Sequence, residues 1–559
     1  MLCRGSNGRL GADVVMCLLL SAGLSVMGAR GEIIEVPGYA PLYGDIKPLK
    51  AGDSLYVFTK GRRRSEDNQL IAIQTLQGVV SRTDRPRVWV DNGDDTFLNY
   101  LAENYGIRFD RKYARDFPAL LAELKPYTSG QYVLYDMDDK PSISAASSMA
   151  GLLDAIAIDA DLEAIAMAAG YSRTLDVRGK DCRWVYENYR DKLNNNAIIV
   201  HTNDYRRHPS VAYLRDFGPA LKALDWWYDD EAYSRKVYGS MAPCSPVYGW
   251  QDPTTSDEGL SIKLHSEEGL FQIPSDWMLN LSVHASMGSV LKDRQFAQKI
   301  VRREPPSETG VHYVTFIMSD MDNILTEIGT DSFFSTRKFY ANPHRGQFAM
   351  SWGMAPSLVE LSPAGLEMWY KAATPNDTFV AYCGLGYFYP NVAPHMESHA
   401  RRLAGFLKRA DLRTLLVIDR VLPERQLSHR YYEGKIKPFM ALEQLRGLFY
   451  LEYVQYAPHG GKIFWFDGKP MVTARFDFRT EQFYSAVRPT AESLARSINA
   501  LPKDPTSPNG YTFVTVHAWS KGMDDIHETI QLLDADVRVV NAEDFIELIR
   551  RNVKPAGDD

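Results

Sequence analysis

Short apolar runs alternate with longer segments whose apolar positions recur at helical spacing, from Leu55 almost to the C-terminus. Leu55-Tyr56-Val57-Phe58 reads as a strand, followed by a helix through Leu70-Ile71-Ala72-Ile73-Gln74-Thr75-Leu76-Gln77. Residues 87–90, 132–135 and 197–200 are further strand-like runs, with helices near 96–105 and 116–125. Strands and helices in turn predict an α/β domain with largely parallel pairing. A helix expected near 286–303 closes this half at Arg302-Arg303-Glu304-Pro305-Pro306-Ser307, whose paired prolines mark a domain boundary.

Beyond it the alternation sharpens. Strands are predicted at 313–318, 347–352, 378–383, 412–418, 447–452, 462–466, 512–517 and 537–540, and helices at 357–373, 394–410, 482–500, 523–534 and 542–552. This pattern predicts a (β/α) barrel-like domain, irregular in form, with an open doubly wound sheet as the competing arrangement. In either, ligand chemistry gathers at the carboxyl ends of the strands. The expected organisation is a signal peptide at 1–31, an N-terminal α/β domain at 32–306 and the barrel-like domain at 307–559.

The signal-peptide reading rests on Arg4 and Arg9, the apolar run Val14-Val15-Met16-Cys17-Leu18-Leu19-Leu20 and small residues up to Ala29-Arg30-Gly31. The run is too short to span a membrane, so the mature chain is expected to be exported, periplasmic or extracellular, without a membrane span. Residues 1–31 carry three Arg and one Asp, a net +2, so their removal takes the chain from −7 to −9. That acidic balance, from 63 Lys and Arg against 70 Asp and Glu, argues against a nucleic-acid partner. Cys182, Cys244 and Cys383 then remain, too few and too widely spaced for a disulfide framework or a zinc cluster, although Cys182 and Cys244 are able to pair in an oxidising compartment. The 31 Tyr, 24 Phe and 10 Trp change the picture more, because such rings stack on sugars as well as fill cores.

Strand ends supply the candidate chemistry. The first strand of the second half ends in Ser319-Asp320-Met321-Asp322-Asn323, where two carboxylates and an amide suit cation ligation, sugar hydroxyls or acid/base work, or else an Asx-turn and a helix N-cap. The second ends at Trp352, a sugar platform or a core residue. The third ends in Gly384-Leu385-Gly386-Tyr387-Phe388-Tyr389-Pro390, a rigid aromatic loop whose glycines permit positive φ or close backbone approach. It has neither the third glycine of a dinucleotide loop nor the Gly-Lys-Ser/Thr of a phosphate loop, and no cofactor is expected.

This run resembles the family of exported bacterial proteins named for G-x-G-Y-x-Y-P and described as putative glycoside hydrolases. Leu76-Gln77-Gly78-Val79-Val80, Trp277-Met278-Leu279-Asn280-Leu281-Ser282, the 319–323 stretch and Phe466-Asp467-Gly468-Lys469-Pro470 support the resemblance, which spans nearly the whole mature chain. It implies an α/β partner domain ahead of the motif-bearing domain and a poly- or oligosaccharide ligand. It carries no catalytic assignment. Where the family usually has Gly between the two Asp residues, this chain has Met321.

Asp419, Glu452, His517 and Trp519 are the remaining strand-end candidates. Glu452 sits in Phe449-Tyr450-Leu451-Glu452-Tyr453, an apolar setting that raises a carboxyl toward the range of a general acid. The leading expectation is therefore a glycoside hydrolase with Asp322 and Glu452 as its carboxyl pair. Asp320 and Asp419 are the alternates, and Asn323, Trp352, Gly384, Gly386, Tyr387, Tyr389, His517 and Trp519 hold sugar. Two other readings stand beside it. His395 and His399, four apart on the predicted helix, would with Asp320 or Asp322 make a site like that of metal-dependent polysaccharide deacetylases, although Arg401, Arg402, Lys408 and Arg409 make an exposed polar face the simpler account. A non-catalytic glycan-binding protein would keep the aromatic loop without the carboxyl pair.

Overall fold

Three small parallel sheets build the first half and one large curled sheet the second. The computed structural model describes residues 39–555 apart from 60–65, 92, 202–211, 228–229, 251–257, 330–331, 421–433, 454 and 481–488. The expected signal peptide at 1–31 lies outside the described residues.

Strands β1 (Ser54–Thr59), β2 (Val88–Asp91) and β3 (Arg108–Asp110) form a sheet in the order β2-β1-β3. Strands β4 (Gln131–Tyr135), β5 (Ile156–Asp159) and β6 (Ser172–Asp176) form a second in the order β5-β4-β6. Strands β7 (Asn194–His201), β8 (Ala223–Trp227), β9 (Pro246–Gly249) and β10 (Phe271–Ile273) form the third, β10-β9-β7-β8, with β10 at its edge. The helix Asp67–Thr83 runs between sheets and is buried along nearly its whole length, so its polar side chains need partners. Gln77 donates to the Val88 carbonyl at 2.9 Å and to Asn280 Oδ1 at 2.8 Å, while the Asn280 side chain exchanges two hydrogen bonds with the Val90 backbone.

In the second half β11 (His312–Met318), β12 (Met350–Met354), β13 (Asp377–Tyr382), β14 (Thr414–Asp419) and β15 (Gly447–Glu452) lie side by side and parallel. They are buried along almost every residue, as strands covered on both faces must be, which is why they read as unbroken apolar runs. Beyond β15 come β16 (Ile463–Phe466) and β17 (Lys469–Thr473), an antiparallel hairpin whose second strand pairs with β15. On the other side β11 meets β19 (Tyr511–Val516), which pairs with β18 (Phe476–Phe478). Strand β20 (Val537–Val539) fills the gap beside the first residues of β11. The sheet is a curled half-barrel: β16 and β18 end its strand path and do not pair with each other. The hairpin strand β17 and the short β18 are additions to the predicted strands, and the second predicted strand begins at Met350 rather than at 347. No helix forms over 286–303; the chain there runs through turns into a stretch without regular structure.

One apolar core joins the two halves. Phe271 and Ile273 of β10, with Met278 and Leu281, pack in the same cluster as Val314, Phe316 and Met318 of β11. Helix Met396–Ala410 joins them as well. Its Arg402, predicted on an exposed face, is buried and donates to the Cys244 carbonyl at 2.5 Å and the Ala40 carbonyl at 3.1 Å. Cys182, Cys244 and Cys383 are all buried and form no disulfide; Cys182 donates to the Trp227 carbonyl.

The aromatic loop after β13 ties the seam. Tyr387 N–H donates to the Gln272 carbonyl at 2.6 Å and Gln272 N–H returns a bond to the Tyr387 carbonyl at 2.9 Å, an antiparallel pair on the edge strand β10. Gly384 has φ +72°, the turn's left-handed residue, and Gly386 lies so close to Gln272 that a methyl group there would overlap the carbonyl oxygen. Gly386→Ala is expected to lower the free energy of unfolding by at least about 1–3 kcal/mol in urea titration, the usual cost of overpacking. Gly405→Ala, in the helix with open space around it, is expected to raise it by about 0.5–1 kcal/mol. Equal effects from the two would mean that the seam does not depend on close approach at Gly386.

Candidate functional site

The chain leaves β11 through Ser319 and turns sharply at Asp320, which has φ +62°. This sends Met321 into the core while Asp320 and Asp322 line a cavity of about 370 Å³ at the strand mouth. Met321 has room because Gly353 of β12 carries no side chain; a methyl there would press on Met321 Cβ and the Tyr382 ring. Asn323 caps the helix Ile324–Ile328 by accepting from Leu325 N–H at 3.0 Å, and its amide donates across the seam to Asp276 Oδ1 at 3.0 Å.

Another part of the lining comes from the first half. Trp250 follows β9, Glu258 opens the helix Glu258–Glu267, and Pro274, Asp276 and Trp277 follow β10. Tyr387, Ile418, Tyr456 and Trp519 complete the lining from the second half. Trp250 and Tyr387 face each other nearly parallel, ring centres 6.5 Å apart. Behind the lining, the Asp320 carboxylate accepts from the Ser319 hydroxyl, and His517 Nε2 stands 3.9 Å away. Arg479 pairs with Asp477 at 2.5 Å and lies over the Tyr456 ring.

Asp322 is the electrostatic centre of the arrangement. Burial penalises its charged form and the neighbouring Asp320 carboxylate adds to that, together pushing it up to about 7 against the pull of backbone N–H groups and the Cys383 thiol. It can hold a proton near neutrality and face a cavity at the same time. Asp477 is pushed up to about 6 by burial, although Arg479 and His517 favour its charge.

The sequence-predicted residues divide sharply. Asp320, Asp322, Asn323, Tyr387 and Trp519 line the cavity together. His517 stands behind Asp320. Glu452 is not in the lining: it is half-buried and its Oε2 is held by His459 Nε2 at 2.6 Å. Asp419, beside it in the sheet register, is also off the cavity; it is fully buried, accepts from Asn391 N–H at 3.1 Å and Arg420 N–H at 2.8 Å, and is pushed up to about 7 by burial. Trp352 is a core residue and not a platform, its indole N–H donating to Asp377 at 2.9 Å inside the sheet. Gly384 and Gly386 serve the turn and the seam, and Tyr389 is buried with its N–H on Ser266 Oγ at 2.9 Å. His395 precedes the helix with φ +57°, and His399 is buried against Phe388 and Phe439, which drives its pKa down to about 3. Neither lines the cavity, and no group of three or more His, Cys, Asp or Glu suited to a metal ion occurs among the described residues.

Sequence reasoning missed Trp250, Glu258, Asp276, Trp277 and Tyr456. Trp250, Asp276 and Trp277 lie just beyond β9 and β10, so the strand-end rule would have found these three had those strands been read; Glu258 opens a helix further on. β9 begins at Pro246 and ends at Gly249, and β10 has only three residues, which hides both.

Fold and cleft define a two-part α/β protein whose cavity is shared between a curled parallel sheet and the sheet that precedes it. The chain belongs to the GxGYxYP family. Its residues 310–550 match the GxGYxYP putative glycoside hydrolase C-terminal domain, 130–193 the second GxGYxYP N-terminal domain and 197–286 the third. A crystal structure described as a putative hydrolase from Bacteroides thetaiotaomicron is similar in fold, with a TM-score of 0.80 and 24% identity over 92% of this chain and 97% of that one. No curated protein matches the sequence.

The unfolded Asp322 carboxyl titrates near 3.8 and the folded one near 7. Between those values the fold keeps a proton that the unfolded chain has lost, so this group's contribution to stability falls as pH rises from about 4 to about 7 and is gone above. Asp322→Asn escapes that loss. Its stability relative to wild type should rise across this window by at most about 1.4 kcal/mol per pH unit and then level off. Urea midpoints of both proteins at pH 5 and pH 8 read the difference directly, and a pH-independent gap would mean that Asp322 titrates as an ordinary carboxyl.

Proposed function

We propose that the protein is an exported glycoside hydrolase with Asp322 as its general acid and Glu258, supplied to the same cavity by the first half, as nucleophile or as base for water. The observation that carries this reading is a buried carboxyl, raised to about 7, opening onto a cavity that also holds Glu258, Asp276 and several aromatic rings. Protonated Asp322 gives its proton to the glycosidic oxygen as the bond to the anomeric carbon breaks. Glu258 either bonds to that carbon, to be displaced later by water, or takes a proton from the water that attacks it. Asp320 raises Asp322, and His517 with the Ser319 hydroxyl keeps Asp320 in place. Family membership supports the reaction class. Export is supported by the sequence of residues 1–31, and N-terminal sequencing of secreted protein should begin near residue 32.

Incubation with plain and acetylated oligosaccharides, read by mass spectrometry, should give shorter chains carrying one added water. Asp322→Asn and Glu258→Gln should each lower kcat by about 100-fold or more, while Glu452→Gln should leave it within a few-fold of wild type. The wild-type rate should fall as pH rises through about 7, where Asp322 loses its proton. Loss of acetyl groups with chain length intact would replace the proposal with a deacetylase. Full activity of Asp322→Asn would remove Asp322 from the mechanism.

A further inference from the structure

Four tyrosines stand at or just past the ends of β13 and β15, and their hydroxyls are treated differently. Tyr387 and Tyr389 set their hydroxyls against each other at 3.4 Å. The Tyr382 hydroxyl is sealed inside the sheet, with no partner among the described residues. Tyr456 is also buried over most of its surface and makes no side-chain hydrogen bond to the described residues, yet its hydroxyl is not sealed. The residue lines the cavity with Asp320 and Asp322, so the cavity is where that hydroxyl finds a partner. A ligand that displaces water from such a group must supply a hydrogen bond of its own or lose affinity.

The ring that carries this hydroxyl is firmly held. The Arg479 guanidinium carbon lies 4.3 Å from its centre, and Arg479 is fixed in turn by Asp477 of β18 at 2.5 Å. His517 meets the ring edge-on, with ring centres 6.4 Å apart. Chemistry sets the direction of the bond. Burial, then Asp320 and Glu258, keep the phenol well above its ordinary pKa, and Arg479 offsets only part of this. The group therefore remains an O–H at neutral pH, a donor and not a nucleophile or a base. A cation over the ring face draws electron density from the phenol and strengthens that donor.

Resting on the proposed carbohydrate reading, we infer that Tyr456 is a substrate-binding residue whose hydroxyl donates a hydrogen bond to an oxygen of the sugar unit held at Asp322. Asp477 and Arg479 are positioning residues that act through its ring. The bond fixes the rotation of that unit in the cleft and so brings its glycosidic oxygen to the Asp322 carboxyl, as general acid catalysis requires.

Tyr456→Phe removes the hydroxyl and keeps the ring on Arg479, so it isolates the bond. Labelled cello-, xylo-, manno-, chito- and uronic oligosaccharides, titrated into the full-length Asp322→Asn protein with and without Tyr456→Phe, read binding by fluorescence polarisation without requiring turnover. The chain bound most tightly should bind about tenfold more weakly once the hydroxyl is gone, about 1.4 kcal/mol. The thermal midpoint without ligand should stay unchanged, because no hydrogen bond within the protein is lost. Tyr370→Phe, whose lost hydroxyl donates to the Ala410 carbonyl at 2.7 Å, should do the reverse, lowering the midpoint and leaving binding intact. Undiminished binding by Tyr456→Phe, or weakened binding accompanied by a midpoint lowered as in Tyr370→Phe, overturns the inference and leaves the hydrolase reading standing if the wild type cleaves. Binding weakened as expected, with no cleavage by the wild type, retires the hydrolase reading and leaves Tyr456 as a ligand contact. Binding of no chain in the panel removes the carbohydrate reading and this inference together.

Discussion

Two hydrogen bonds between Gln272 and Tyr387 hold the site together. They join an edge strand of the first half to the loop leaving the third parallel strand of the second, and each side of that seam carries part of the cavity. The G-x-G-Y-x-Y-P run is built around this contact. Gly384 makes the turn, Gly386 removes the side chain that would keep the strands apart, Tyr387 presents backbone to Gln272 and its ring to the cleft, and Tyr389 fixes the loop to Ser266. The motif that identifies the family is thus chiefly a device for joining the halves, with a single side chain among its aromatics reaching the cavity.

Burial raises several carboxyls in this protein, and what each then does depends on what it faces. Glu327 accepts from Ala355 N–H at 2.8 Å, Asp216 from Ser282 N–H at 2.7 Å, Glu360 from Leu42 N–H at 2.7 Å and Asp419 from Asn391 N–H at 3.1 Å. Each takes a backbone donor from a distant segment and pins two parts of the chain together, at the cost of desolvating a carboxyl. Asp322 is under the same pressure but opens onto a cavity with a second carboxylate as neighbour. A raised pKa alone would have ranked Asp419 beside it; access separates them.

The five central strands of the second half, β11 to β15, were legible because they are buried on both faces and therefore mostly apolar. Asp320, Asp322 and Asn323 followed from the end of the first of these. Trp352 and Glu452 misled for one shared reason: a strand end gives position along the barrel axis but not which way a side chain turns. Trp352 turns inward to Asp377, and Glu452 meets His459, seven residues on, in a chain segment whose return no periodicity announces. The wall from the first half was illegible for a different reason. Asp276 and Trp277 lie just past a three-residue strand, Glu258 opens a helix after the short β9, and the seam that brings them to the cavity of Asp322 runs through the Gln272–Tyr387 pair, a tertiary contact with no local signature. His399 misled in the opposite sense, since a polar helical stretch conceals that this side faces Phe388 and Phe439.

Part of the backbone strain falls at the same place as the side chains. Several non-glycine residues with positive φ are helix termini, as at Asp154, Lys222 and Asp411, where a left-handed residue ends the hydrogen-bond ladder at little cost. Leu214, Cys244 and Asp467 sit in loops away from the cavity, whereas Trp277, Asp320 and Cys383 gather around it. Two of these line the cavity and the third sets its thiol against Asp322. Such a conformation costs about 1–2 kcal/mol for an L-residue and persists only where neighbouring contacts over-determine it. Here the fixed neighbours are the Gln272–Tyr387 pair on one side and the parallel register of β11 to β14 on the other. The strain therefore marks where the chain departs from its easiest path to present Trp277, Asp320 and the carboxyl beyond it to one shared space. Relaxing the turn at Trp277 or Asp320 would move a side chain out of the cleft while leaving both sheets intact.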